Sequence, residues 1–182
     1  SRGFTGAAKM VAEAAGRSGA GLVTEGLPQP LVPVVAPGLL EPMWLALPAT
    51  KSDSFSMEAL APALASAGSK QAVVLGPGIS THDETRRFVL EFLRQCKTPI
   101  LIDADGLNVI SINPGVIATA QAPVVVTQHP GEMARLAGIS IEHVQRDRIA
   151  VATQFAARQK WVVVLIGHRT IFAGPGGECF VN

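Results

Sequence analysis

Asp103, Asp105 and Asn108 in "DADGLN", His129 and Glu132 in "HPGE", and His168 and Arg169 in "GHRT" are the side chains best placed to do chemistry. Each group follows an apolar run, respectively "PILI", "PVVV" (after Thr127 and Gln128) and "VVVLI". A further apolar run, "QAVVL", ends in "GPG" (Gly76, Pro77, Gly78). Carboxylates in such a position could hold a metal, act on a proton or orient loops. A histidine beside Pro130 and Gly131 has its direction fixed by a restricted backbone. Arginine and histidine together suit phosphate or ribose, and glycines let a backbone approach a ligand closely.

Each group also has a purely structural reading. "GPG" makes a tight turn unaided, because glycine supplies positive φ and proline fixes its neighbour. Asp105 is read first as a cap for the helix that follows it, and Asn108 as a turn or capping residue; Asp103 is left open. Glu132, in the first turn of a helix, would gain roughly 0.3–1 kcal/mol from the helix dipole and need do nothing more. His168 and Arg169 would look the same at a polar hairpin tip. Trp44 and Trp161 read as packing residues.

The elements that must position these groups alternate. A helix is expected over "TGAAKMVAEAAGRSGAG", capped by Thr5 and stopped by Gly19 and Gly21, then a short buried strand at "GLVT". Prolines recur from Leu27 to Pro48, which suits edge strands and loops. Helices are expected near Met57–Ala67 and Asp83–Gln95, with one long helix over "IEHVQRDRIAVATQFAARQ". "QAVVL", "PILIDAD", "PVVVT", "WVVVLI", "TIFAG" and "ECFV" read as strands. The middle strands are continuously apolar, as strands covered on both faces of a parallel sheet are. The class is therefore α/β, in one domain, with the chemical groups at the carboxyl ends of successive strands, where open α/β sheets bind ligands.

Bulk composition narrows the partners. The 182 residues are 48% hydrophobic, contain no tyrosine and carry a formal charge of +1. That balance gives no broad grip on nucleic acid or an anionic membrane, but leaves room for a small polyanion held by backbone amides. Cys96 and Cys179 form no metal spacing and no disulfide framework, which fits a reducing cytosol. No apolar run reaches the roughly 20 residues of a membrane span, and no signal peptide is read at the start. The phosphate loop, the dinucleotide fingerprint, the nucleophile elbow and a metal-binding histidine pair are all missing. Physics alone reaches a small-molecule-binding α/β domain.

The ordered set "SRGFTGAA…RSGAGLVT", "GPG", "DADGLN", "HPGEMARL" and "VVLIGHRT" resembles the NAD(P)H-hydrate dehydratase family over nearly the whole chain. The resemblance implies a ribokinase-like layered fold, a mostly parallel central sheet with helices on both faces. It also implies a hydro-lyase activity that repairs NADH or NADPH hydrated on the nicotinamide ring. The family phosphorylates the ring hydroxyl at the expense of ADP or ATP, with Mg2+, and loss of phosphate restores the double bond. It further implies a cytoplasmic homo-oligomer. Carried over by position, Ala7, Gly76, Gly78 and His129 would contact the hydrated dinucleotide. Ile166, Gly167, His168, Arg169 and Thr170 match the nucleotide-binding segment, and Asp103, Asp105 and Asn108 would shape the cleft near the phosphates.

Three departures from the family pattern bear on function. Gln128 stands where the family has proline, a change expected to alter loop rigidity. Ile166 replaces a lysine and removes a positive charge. The family's Gly-Thr-Gly-Asp segment, with the aspartate that serves as base, is expected beyond Asn182, and the family's first strand before Ser1. Residues 1–182 are thus read as a single ribokinase-like domain lacking these two pieces. The alternatives are a dinucleotide-binding protein without turnover and a vitamin-precursor kinase of the same fold.

Overall fold

A computed structural model describes residues 1–182, except for the side chains of Pro114 and Ile117. The chain runs α1 (Thr5–Arg17), β1 (Thr24–Pro28), α2 (Val32–Val35), β2 (Met43–Leu47), α3 (Leu60–Ala67) and β3 (Val73–Leu75). It continues through α4 (Asp83–Gln95), β4 (Ile100–Ile102), α5 (Asp105–Ile112), β5 (Val124–Gln128), α6 (Pro130–Ala137) and α7 (Ile141–Arg146). It closes with α8 (Arg148–Gln159), β6 (Val162–Leu165), β7 (Ile171–Ala173) and β8 (Cys179–Val181).

β3 to β8 form one sheet in chain order. β3, β4, β5 and β6 are parallel, and β7 and β8 add two antiparallel strands. Leu75 pairs with Ile102, Ile102 with Val126, and Gln128 with Leu165, so the carboxyl ends of the parallel strands lie level. β4 and β5 hold no exposed residue, which is why their sequences are apolar without alternation. Ile102, Val126, Val163 and Leu165 are fully buried, each contributing about 1.5–3 kcal/mol of hydrophobic stabilisation. α8 turns Val151, Ala152, Phe155 and Ala156 inward, and the two alanines allow a close approach to β6 and β7. A stack of Phe55, Phe88 and Phe92, with centroids 5.1 and 5.8 Å apart, fills the core beside α4.

Several expectations need correction. The strand assigned to "GLVT" lies instead at Thr24–Pro28, and Leu22 is exposed. β1 pairs only with β2, in a separate two-stranded parallel sheet, so the proline-rich region does supply an edge strand and loops, but also the short helix α2, which was not expected. Thr5 is not a cap; Phe4 occupies that position and α1 has no side-chain cap. The long helix over residues 141–159 is broken at Asp147, whose backbone leaves the helical region. Its carboxylate instead accepts the Ala150 N–H at 2.9 Å and starts α8 afresh. An aspartate that can cap locally competes with helix continuation, and here it prevails. Trp161 is buried as expected of a packing residue.

Candidate active site

Because β3 to β6 are parallel, "GPG", "DADG", "QHPGE" and "IGHRT" all emerge at one edge of the sheet. Strands lie about 4.8 Å apart, so this row of loops spans roughly 14 Å from β3 to β6. It is the edge at which open α/β sheets bind ligands.

The loops after β3 and β4 are welded together by backbone. Gly76 has φ +128°, and a Cβ there would run into the Asp103 carbonyl and the Gly106 N–H. Gly78, at φ +66°, would meet the Phe4 carbonyl at 2.8 Å and the Ala7 methyl at 3.0 Å. The close approach that these glycines permit is therefore first to the protein itself, and it sets Ala7 against Gly78. Ser1 Oγ completes the junction by donating to the Gly78 carbonyl at 2.9 Å. Two non-glycine residues are held here at positive φ, Ser80 at 77° and Ala104 at 49°. Such conformations cost about 1–3 kcal/mol each and persist only where the surroundings enforce them.

The enforcing groups are the two aspartates. Asp103 Oδ1 accepts the Ala104 N–H at 2.8 Å, and the Asp103 carbonyl accepts the Gly106 N–H at 3.0 Å. Asp105 does not occupy the capping position of α5, which falls on Ala104. It reaches across instead, accepting the Ser80 N–H at 2.9 Å and the Asn108 amide at 3.3 Å. Asn108, inside α5, in turn accepts Arg135 Nη2 at 3.1 Å. A polar line thus runs from the loop after β3, through α5, to α6. Arg135 was not among the sequence candidates, since an arginine three residues after Glu132 looks like any solvent-facing helix residue.

His129 also has a structural task that the sequence did not show. It is the N-cap of α6: Nδ1 accepts the Gly131 N–H at 3.0 Å, while Glu132 Oε2 accepts the His129 N–H at 2.9 Å. This reciprocal capping box gives Glu132 a specific hydrogen bond beyond the dipole effect. With Nδ1 accepting, a neutral ring carries its proton on Nε2. That atom is 3.6 Å from Glu132 Oε2, and the side chain is 58% exposed. Capping therefore orients the ring and leaves its far edge open to a ligand.

The next loop abuts this one through the Ile166 N–H, which donates to the Gln128 carbonyl at 2.7 Å. Ile166, Gly167, His168 and Arg169 are exposed at the β6–β7 hairpin tip. Thr170 Oγ1 donates weakly to the Gly167 carbonyl at 3.4 Å. Arg148, at the start of α8, reaches the same loop and was likewise missed in the sequence. Gln128 is fully buried, and neither Nε2 nor Oε1 has a hydrogen-bond partner.

An apolar cavity lies elsewhere. It holds about 760 Å3 between β1 and β3, and its walls include Leu27, Leu45, Leu47 and Phe88. Only Ser1 and the "GPG" loop connect it to the row of strand ends, so it is a gap between two free sheet edges rather than the chemical centre. Burial pushes the Glu25 carboxyl in its wall up to about 7. Among the described residues, no group of three or more His, Cys, Asp or Glu side chains could hold a metal ion. No described helix is long and apolar enough to cross a membrane.

The family model described as NAD(P)H-hydrate dehydratase matches residues 1–182. The chain belongs to the NAD(P)H-hydrate dehydratase family. The bifunctional NAD(P)H-hydrate repair enzyme of Moorella thermoacetica is 37% identical over 182 residues, 100% of this chain and 34% of that protein. The chain spans about a third of the length of such curated relatives. The crystal structure of the ADP/ATP-dependent NAD(P)H-hydrate dehydratase of Bacillus subtilis, co-crystallised with ATP/Mg2+ and soaked with CoA, is also similar. It aligns with TM-score 0.73 and 25% identity over 100% of this chain and 62% of that one. A ribokinase-like superfamily protein of Enterococcus faecalis aligns with TM-score 0.78 and 25% identity, over 100% of this chain and 59% of that one. The fold is accordingly ribokinase-like, with a mostly parallel sheet.

Proposed function

We propose that this domain carries the ADP- or ATP-dependent dehydration of hydrated NADH or NADPH. The observation that carries the reading is the gathering of the family-matched "GPG", "DADGLN", "HPGE" and "IGHRT" segments at one sheet edge, in a chain matched by the family model from end to end. The ring hydroxyl of the hydrate takes the terminal phosphoryl group, leaving AMP from ADP or ADP from ATP. The phosphate then departs with the former hydroxyl oxygen, and a proton leaves the neighbouring carbon as the double bond returns. Positioning and charge stabilisation dominate such a reaction.

The residues divide between the two ligands. Ala7, Gly76, Gly78 and His129 line the hydrated dinucleotide, with His129 Nε2 free to donate because Nδ1 is held by the Gly131 N–H. Ile166, Gly167, His168, Arg169 and Thr170 face the nucleotide. Asp103, Asp105 and Asn108 brace the floor between them, a role supported by their bonds to Ala104, Ser80 and Arg135. Mg2+ is bound through one or two carboxylates plus phosphates rather than a protein cage. Asp103, one of whose carboxylate oxygens accepts the Ala104 amide, would be the residue to hold such an ion, which would supply charge stabilisation to the transferred phosphoryl group.

The family base stands in the Gly-Thr-Gly-Asp segment expected downstream of Asn182. The free edges of β1 and β3, facing one apolar cavity, support one further strand between them, the family's first strand expected before Ser1. The same reading makes the working form a cytoplasmic homo-oligomer. The test is repair of hydrated cofactor by the full-length gene product with ADP or ATP. Repair under neither condition, with the dinucleotide still bound in calorimetry, would leave a binding protein instead.

A further inference from the structure

Arg148 sits outside every motif that resembles the family, yet it donates to three carbonyls in and beside the nucleotide-matched loop. Its Nη1 donates to the His168 carbonyl at 2.5 Å and, at a longer 3.4 Å, to the Arg169 carbonyl. Its Nη2 donates to the Leu165 carbonyl at 3.0 Å. Gly167 lies against the guanidinium so closely that a Cβ there would stand 3.0 Å from Nη2. Among the described residues no carboxylate pairs with Arg148, so its charge is spent on these carbonyls alone.

The consequence follows from peptide geometry. In a planar trans peptide the N–H of one residue points opposite to the carbonyl of the residue before it. Turning the carbonyls of Leu165, His168 and Arg169 toward Arg148 turns the N–H groups of Ile166, Arg169 and Thr170 away. The Ile166 N–H indeed goes to the opposite neighbour, the Gln128 carbonyl. The Arg169 and Thr170 N–H groups have no acceptor among the described residues and face outward from an exposed tip. Arg169 is held at φ 58°, and left-handed turns of this kind bring successive N–H groups together into an anion-binding concavity.

We infer that Arg148 is a positioning residue that holds the 165–170 loop with its carbonyls inward and its amides outward, so that Arg169 and Thr170 bind a nucleotide phosphate through backbone N–H. This supplies what Ile166, in place of a lysine, does not: a cation behind the phosphate and donors in front of it. The guanidinium is needed for its fork as much as its charge, since a lysine ammonium cannot span three separate carbonyls. The inference rests on the nucleotide lying at residues 166–170, as proposed above.

The experiment compares full-length wild type with Arg148→Met and Arg148→Lys. Steady-state repair kinetics and amide hydrogen exchange of the 161–172 peptide are measured, the latter with and without ADP or ATP. Both variants should raise the nucleotide KM about tenfold or more while the KM for hydrated dinucleotide stays within about twofold. Nucleotide should protect the loop amides in the wild type and fail to do so in the variants. Equal protection and equal nucleotide KM in Arg148→Lys and wild type would overturn the positioning role, even if Arg148→Met fails to fold. Absence of protection in the wild type itself, with repair intact, would overturn the placement of the nucleotide and the inference with it.

Discussion

Replacing Gln128 by methionine should stabilise the protein. The side chain is fully buried at the carboxyl end of β5, and both heteroatoms of its amide lack a protein partner. A buried polar group left unpaired costs about 1–3 kcal/mol, whereas an apolar side chain of similar shape has no such penalty. Methionine nearly conserves the volume and is flexible enough to settle without a cavity. The backbone is untouched, so the Gln128 carbonyl still accepts the Ile166 N–H. The expected gain is about 1–3 kcal/mol, or a rise in Tm of roughly 2–10 °C for a chain of this size. Urea unfolding of wild type and Gln128→Met, with m-values compared, measures it. An unchanged or lowered stability would mean that the amide is satisfied by an ordered water, and the reasoning about this position would fail.

Three further outcomes are expected. Glu25 has a folded pKa of about 7 against an ordinary 4.5, so the folded state holds the extra proton between those values. Stability should fall as pH rises from 4.5 to 7, by at most about 3 kcal/mol; Glu25→Gln should flatten that slope in urea titrations. Gly76→Ala should cost about 3 kcal/mol or more, because a Cβ collides with the backbone of residues 103 and 106. Thermal unfolding that matches wild type would contradict that packing. His129→Asn should keep the α6 cap to within about 0.5 kcal/mol, whereas His129→Ala loses about 0.5–2 kcal/mol. Both should raise the KM for hydrated dinucleotide, and unaltered kinetics in either would remove His129 from the substrate site.

The parts of the fold that sequence disclosed were those set by burial. "PILI", "PVVV" and "VVVLI" read as parallel strands because they are continuously apolar, and a strand stands in each, although Val162 and Ile166 at the ends of the last run are exposed. What escaped was decided by single side chains acting locally. Asp147 can continue a helix or cap a new one, and its spacing does not say which. The site was legible as four loaded strand ends, but not its internal bonding. His129 as a cap and Asp105 as a brace to Ser80 depend on contacts that spacing cannot reveal. Arg135 and Arg148 were invisible because an arginine on a helix looks like solvent-facing charge until its partner is placed.

The most direct test of the functional account follows the near-ultraviolet absorbance of reduced nicotinamide when full-length protein is mixed with hydrated NADH. The account predicts that absorbance returns when Mg2+ and ADP or ATP are present, with one AMP or ADP and one phosphate released per cofactor repaired. No recovery with either nucleotide would contradict it.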